Sequence, residues 1–484
     1  MMKEKMRARR GAAHGKTLLL LLAVLAVFIG GIFAAKKITA RAQAEEEAAE
    51  EEITVAAWST EEDAVCLVSY TTENDSLTFE KTDDVWAWTD DPSFPASQSA
   101  VEKLVSAFSE IEAYKVIDDP EELSEYGLEN AAYTVTLDDA ELRIGDESAI
   151  DGYRYFSCGD GKVYLVDSDL TKKLSGDIYD YVQTESLPDM SDITSFRVSW
   201  NGGGYTLLHE ENSALAYSEE YTWFMQNGED LITLDTDLAE ALVDTVTQIG
   251  WVQCVEYAAS EETEESYGLR EPAITVTVDY TESEQKETDL TDSDGEPIYE
   301  TVENARTFVL EMNGAYAQIG DSAMIYQVGS GIADTLRYTS YSELLPDEVL
   351  ALDYSDVTSM DVTIGEETMS FKKTTETVTD EDGETVIRTV WKQDGDTAEI
   401  EDALDSIADM LTYDSVWDRS GENGVQLTLT FHRSDKNYPK TVLTFSDYDS
   451  TYCMAAVDDN IPVKVLRSDV NSLVSSFQAA AGEE

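Results

Sequence analysis

Two nine-residue runs, Asp192–Trp200 (DITSFRVSW) and Asp356–Ile364 (DVTSMDVTI), alternate apolar with polar side chains. In the first, Phe196, Val198 and Trp200 are separated by Arg197 and Ser199; in the second, Met360, Val362 and Ile364 are separated by Asp361 and Thr363. A period of two puts these apolar side chains on one face of an extended strand, so both runs predict half-buried strands. Elsewhere the period changes to that of a helix. Val101, Leu104, Val105, Phe108 and Ile111 form one such series; Leu238, Leu242, Val246 and Ile249 a second; Ile400, Leu404, Ile407 and Leu411 a third. Each gives a helix one apolar and one wet face. Ser99-x-x-Glu102, Asp237-x-x-Glu240 and Asp396-x-x-Glu399 are the capping boxes expected to start them.

These elements recur in a fixed order. Strands leading to a tryptophan (Trp86 or Trp88, then Trp223, then Trp391) precede each helix, and a repeated phrase follows it. The phrase is YGLENAAYTVTL from Tyr126 and YGLREPAITVTV from Tyr267, followed by LRIGD and AQIGD. A third copy is eroded: Asn423-Gly424-Val425 stands where Tyr-Gly-Leu would be, ahead of QLTLTF. Ser168, Ser330 and Ser468 then precede apolar-periodic segments and are expected to cap closing helices. Gly127 and Gly268 are read as turn residues, Tyr126, Leu128, Tyr267 and Leu269 as side chains tucked against the preceding helix, and Ile144 and Ile319 as strand ends before Gly-Asp turns. The expected fold is α+β: three repeated, mostly antiparallel sheet-plus-helix modules, at 54–190, 191–352 and a degenerate 353–484.

This succession resembles a family of bacterial membrane-anchored proteins that carry domain of unknown function 4340. The resemblance spans nearly the whole chain and is fairly specific in the first two copies, while the third departs from it. It implies an extracytoplasmic protein with no assigned activity, associated with ABC-type transporters linked to gliding motility and surface export. It supplies no functional residues.

The N-terminus adds an anchor. Leu18–Ala35 is uninterrupted apolar sequence, near the length that crosses a hydrocarbon core of about 30 Å. Lys3, Lys5, Arg7, Arg9, Arg10 and Lys16 precede it against Glu4 alone, which orients the N-terminus to the cytoplasm. The expectation is a cytoplasmic tail at 1–16, a transmembrane helix at 17–36 in the lipid bilayer, and an acidic stalk at 37–53. A cleaved signal peptide is the competing reading, with Ala40, Ala42 and Ala44 as small residues for cleavage.

Composition narrows the chemistry. The 484 residues carry 100 acidic and 32 basic side chains, a formal net charge of −68, which repels phosphate backbones and argues against nucleic acid as a partner. A hydrophobic share of 42% and an aromatic share of 10% indicate folded domains rather than an acidic disordered chain. Cys66, Cys158, Cys254 and Cys453 are scattered without a Cys-x-x-Cys pair and read as free thiols, with a long-range disulfide as the alternative that spacing leaves open. Only His14, His209 and His432 are present, which disfavours a histidine-rich metal centre or a Ser-His-Asp triad.

Two acidic turns are weak candidates for a cation: Asp292, Asp294 and Glu296 in TDSDGEPIYE, and Asp380 and Asp382, with Glu384, in TDEDGETVIR. Neither completes an EF-hand loop, and Asp-Gly between alternating strands is first a hairpin signal. Walker, nucleophile-elbow and dinucleotide fingerprints are missing. The expectation is therefore no cofactor, no catalytic residue, and a membrane-tethered binding or scaffold role beside an ABC-type membrane complex. The alternatives are an enzyme acting on cell-surface polymer through paired carboxylates, and a structural or adhesive surface protein.

Overall fold

The computed structural model describes residues 54–174, 176–228, 230–291, 297–379, 385–416, 424–458 and 460–481. The apolar run Leu18–Ala35 and the acidic stalk lie outside them. Among the described residues no helix is long and apolar enough to cross a membrane.

The described residues are mostly antiparallel β-structure with some helices, arranged as three sheets. The first contains β1 (Val55–Ser59), β2 (Leu67–Thr71), β3 (Ser76–Thr82), β4 (Val85–Trp88), helix α1 (Gln98–Ser109), then β5 (Glu110–Ile117), β6 (Tyr133–Leu137), β7 (Ala140–Glu147), β8 (Tyr153–Ser157) and β9 (Val163–Asp167). The second contains β10 (Asp192–Trp200), β11 (Gly203–His209), β12 (Trp223–Asn227), β13 (Asp230–Thr233), α2 (Thr236–Thr247), β14 (Gln253–Glu256), α3 (Glu261–Tyr267), β15 (Ile274–Thr291), β16 (Pro297–Asn313), β17 (Tyr316–Ile319), β18 (Ile325–Gln327) and α4 (Ile332–Tyr338). The third contains β19 (Val357–Ile364), β20 (Glu367–Thr379), β21 (Thr385–Gln393), β22 (Asp396–Ala398), α5 (Glu401–Ala408), β23 (Val425–Arg433), β24 (Lys440–Asp447), β25 (Tyr452–Val457), β26 (Val463–Leu466) and α6 (Arg467–Ala480).

The spatial orders are β4-β3-β2-β6-β7-β8-β9-β5-β1, β13-β12-β11-β10-β15-β16-β17-β18-β14 and β22-β21-β20-β19-β23-β24-β25-β26. The strands of the repeated phrase, β6, β15 and β23, occupy matching central places. In the first two sheets the strand before the helix is at one edge and the strand after it lies at or next to the other. The helix therefore has to cross the sheet's face, which is why it needs an apolar stripe. Val101, Leu104, Val105 and Phe108 of α1 share a core with Val135 and Leu142; Leu242, Val243 and Val246 of α2 do so with Val276 and Leu310. In the third sheet the returning strand is, among the described residues, reduced to one bridge, Ser415 with Val463.

Several local expectations are corrected. α1 starts after Ser97, not Ser99; α2 is capped by Asp235, whose carboxylate accepts from the Leu238 N–H, not by Asp237. Asp396 lies in β22, and Ile400 precedes α5 without a side-chain cap. Leu238 and Leu411 are exposed. The first sheet closes on a 3₁₀ segment, Ser168–Leu174, rather than an α-helix. Gly331, not Ser330, precedes α4, and Ser468 lies inside the first turn of α6.

The repeated phrase is a helix-ending device. Gly127 and Gly268 both adopt left-handed backbone, φ 68° and 71°, and donate back to the preceding turn. Leu128 and Leu269 are buried, while Tyr126 packs edge-on to Tyr155 of β8 and Tyr267 to Tyr316 of β17, each partner lying in the sheet of the same repeat. A Cβ on Gly127 would lie 2.8 Å from the Asp146 backbone nitrogen. On Gly268 it would meet the Asn313 amide, which donates to the Tyr267 carbonyl at 2.9 Å. Asp146 and Asn313 stand on matching strands, β7 and β16. The two Ile-Gly-Asp phrases do not: Gly145 lies within β7 at a bulge, whereas Ile319 ends β17, one strand further on.

Candidate functional site

The carboxylates singled out as cation candidates, Asp292, Asp294 and Glu296, and Asp380 and Asp382 with Glu384, lie outside the described residues. Their flanking strands pair directly, Thr291 with Pro297 and Thr379 with Thr385, as a hairpin requires. Among the described residues no group of three or more His, Cys, Asp or Glu is arranged to hold a metal ion. The four cysteines are free; Cys254 and Cys453 are buried, and burial pushes the Cys254 thiol up to about 11.

The residues that converge from distant parts of the chain lie instead where one sheet meets the next. At the first junction, Glu185 in the connecting segment is held on both its backbone and its carboxylate. Its N–H donates to the Tyr326 hydroxyl at 2.9 Å, and that hydroxyl donates to Glu185 Oε2 at 3.0 Å. Ser322 Oγ donates to the same oxygen at 2.9 Å, and the Trp251 indole donates to the Glu185 carbonyl at 2.9 Å. Trp251 stacks on Tyr326 with centroids 4.2 Å apart. Tyr326 belongs to the second sheet yet is buried in the first sheet's core with Phe79, Phe94 and Tyr181. Burial raises its phenol well above the ordinary value. Tyr257 adds an edge contact to Phe94 and donates to Asp91 at 2.9 Å.

The second junction is built around the loop from Glu210 to Thr222, which joins β11 to β12 and lies against the third sheet. Ala216, Tyr217 and Tyr221 are buried in the third sheet's core. β23 alternates inward Leu427, Leu429 and Phe431, and its next inward place is taken by Arg433. That guanidinium, 3% exposed, reaches Asp356 Oδ2 at 3.0 Å and donates from Nη1 to the Tyr217 carbonyl at 2.6 Å. Tyr438 donates to the Ser213 carbonyl at 3.2 Å, and Thr233 to Asn460 Oδ1 at 2.7 Å. Tyr217 donates to Tyr221 at 3.1 Å; desolvation pushes the Tyr217 phenol up to about 12. A cavity of about 40 Å³ lies between Tyr217, Thr233, Tyr341 and Asn460.

An open groove of about 430 Å³ on the second sheet is lined by Asp189, His209, Trp223, Glu240 and Asp244. His209 packs on Trp223, centroids 5.0 Å apart, and its Nδ1 lies 3.2 Å from the Ile193 carbonyl. Its carboxylates favour positive groups, but nothing orients a nucleophile there.

Periodicity could not reveal the junction residues. Glu185 and Tyr326 are 141 positions apart, Tyr217 and Arg433 216 apart. The available signal was compositional: 25 tyrosines, more than core packing alone requires of residues with a hydroxyl to satisfy.

A family model described as "Domain of unknown function (DUF4340)" matches residues 86–272 and 223–427. Both matches begin at the tryptophan strand of one sheet and run into the next, overlapping over α2, α3 and the second Tyr-Gly-Leu. No curated protein and no solved structure matches the chain.

Proposed function

The chain belongs to the DUF4340 family, and on that premise we propose that it is a single-pass, membrane-anchored extracytoplasmic scaffold that binds a membrane protein complex. The observation that carries the reading is the way the sheets are joined. Each junction buries aromatic side chains of one sheet in the core of its neighbour and satisfies their polar atoms there. Joins of this kind resist bending, because opening either one exposes apolar surface and strands buried hydrogen-bonding groups. A stiff array on an apolar anchor with a basic flank suits holding a partner at a set distance from the bilayer. An ABC-type transport or surface-export system is the partner class implied by the family resemblance.

The test has two arms. Protease added to intact cells should remove the residues beyond Lys36, and affinity capture with the anchor present should recover membrane-transport subunits. Protection until lysis refutes the topology. Recovery of soluble cytoplasmic proteins alone refutes the partner class.

A further inference from the structure

In the first sheet, β6 and β7 are joined by the two residues Asp138 and Asp139. The matching pair in the second sheet, β15 and β16, is far longer. β10 accompanies β15 only as far as Thr281, and β17 accompanies β16 only from Leu310 onward. Beyond those points the two strands pair with each other, from Glu282 opposite Asn304 to Glu287 opposite Tyr299 and on to Thr291 opposite Pro297. At about 3.4 Å per residue this makes a two-stranded ribbon projecting roughly 30 Å past the sheet. A third strand is absent on either side among the described residues. Ile298 and Tyr299 are exposed on it.

Such a ribbon is marginal on its own in water, and each outer edge presents alternate N–H and C=O groups that no neighbouring strand takes up. The two edges differ. β16 opens on Pro297, which has no N–H to give, whereas β15 from Glu282 to Thr291 contains no proline. The charges on the ribbon also have one sign: Glu282, Glu284, Glu287, Glu300 and Glu303 face Lys286 alone, apart from Arg306 at the base, which pairs with Glu282 at 2.8 Å. Glu282 and Glu284 project from one face and Glu287 from the other.

We propose that the β15 edge of this ribbon is a docking strand for a partner protein, which adds an extended Lys-x-Lys segment alongside Glu282–Glu287. Main-chain bonds would supply the pairing, and lysines at alternate positions would meet Glu282 and Glu284. Charge excludes the other occupants of an open edge. A second copy of this ribbon would set carboxylate against carboxylate, and anionic lipid headgroups or nucleic acid would be repelled. The inference deepens the binding role proposed above, and its test needs neither the anchor's topology nor the identity of the complex, so either reading can fail without the other.

The probe is a synthetic peptide alternating lysine with valine and threonine, measured against the full detergent-solubilised chain at about 150 mM salt, where well-separated exposed charges are screened. A second peptide of the same charge, with prolines at alternate positions, cannot form the ladder. The expected result is binding of the first peptide about tenfold tighter than the second, with slowed hydrogen exchange confined to β15. Replacing 282–304 by Asn-Gly, which keeps Thr281 opposite Ala305 and matches the turn length of the first sheet, should weaken binding of the first peptide about tenfold, and so should the triple variant Glu282→Gln, Glu284→Gln, Glu287→Gln, which leaves the backbone intact. Equal affinity for the two peptides, or undiminished binding to the triple variant, overturns the proposal by showing diffuse attraction to an acidic surface.

Discussion

Replacing Arg433 by alanine tests how the second and third sheets are held together. The side chain is 3% exposed, and the carboxylates of Asp356 and Asp435 beside it are 22% and 20% exposed, so the variant leaves two partly buried carboxylates without their cation and one buried carbonyl, that of Tyr217, without its donor. Removing one member of a buried pair costs about 3–5 kcal/mol. Water can still reach part of Asp356, which places the expected loss near the lower end, about 3 kcal/mol, of which the Tyr217 carbonyl accounts for about 1–2 kcal/mol. Arg433→Lys keeps the charge, but a single ammonium cannot bridge Asp356 and the carbonyl together, so it should lose about half as much. Native-state hydrogen exchange is the right assay, because a chain with three cores does not unfold as a single two-state unit. A loss of about 3 kcal/mol appears as roughly a hundredfold faster exchange in β23 and in the loop carrying Tyr217 and Tyr221, with the first sheet unchanged. The reasoning is refuted if protection of that loop changes less than about threefold, or if lysine is as damaging as alanine.

The remaining predictions concern the repeated phrase, the other junction and pH. Gly127→Ala should cost about 2–3 kcal/mol, since the left-handed backbone and the Asp146 nitrogen both oppose it; Gly268→Ala should cost about 1–2 kcal/mol, because the Asn313 side chain can turn aside, and thermal melts of the two variants should keep that order. Tyr326→Phe removes the hydroxyl that holds Glu185 by two bonds, so about 1–2 kcal/mol of junction stability should go and limited proteolysis should cut faster between Gln183 and Ser191. For Tyr217 the folded pKa of about 12 lies above its ordinary 10.0, so its contribution is whole below pH 10 and is lost as pH rises towards 12. An alkaline titration followed by tyrosinate absorbance should therefore show the second junction opening in that window, and Tyr217→Phe should shift the opening upward. Asp361 is held below the usual carboxylate range by hydrogen bonds from Ser370 and then His432, so its contribution is present above the ordinary value near 3.8 and fades as pH falls below it. Asp361→Asn should lower the melting temperature at neutral pH, by a margin that closes in acid.

Much of the architecture was legible because burial imposes periods. The alternation in Asp192–Trp200 and Asp356–Ile364 became β10 and β19, matching strands of two sheets, and the helical series supplied core residues on α1, α2 and α5. Boundaries were less legible. Ser97 and Ser99, or Asp235 and Asp237, are equally good oxygens two residues apart, and the backbone geometry that selects between them is tertiary. The paired Ile-Gly-Asp phrases misled for a related reason: three short residues recur easily, and the neighbours that fix their strand, Asp146 opposite Gly127 and Asn313 opposite Gly268, are not adjacent in sequence. Arg433 shows the sharper limit. It continues the inward face of a strand whose earlier places are Leu427, Leu429 and Phe431, and only the arrival of a loop from another sheet explains a cation there.

The turn after β6 is two residues long in the first sheet, while the same turn in the second carries a whole ribbon. A fold that accepts both lengths at one address offers a place to splice foreign sequence. An epitope or fluorescent reporter set after Asp138, whose carboxylate still holds the Cys66 and Leu67 N–H groups, would ride on the rim of the first sheet and let the protein be followed in living cells.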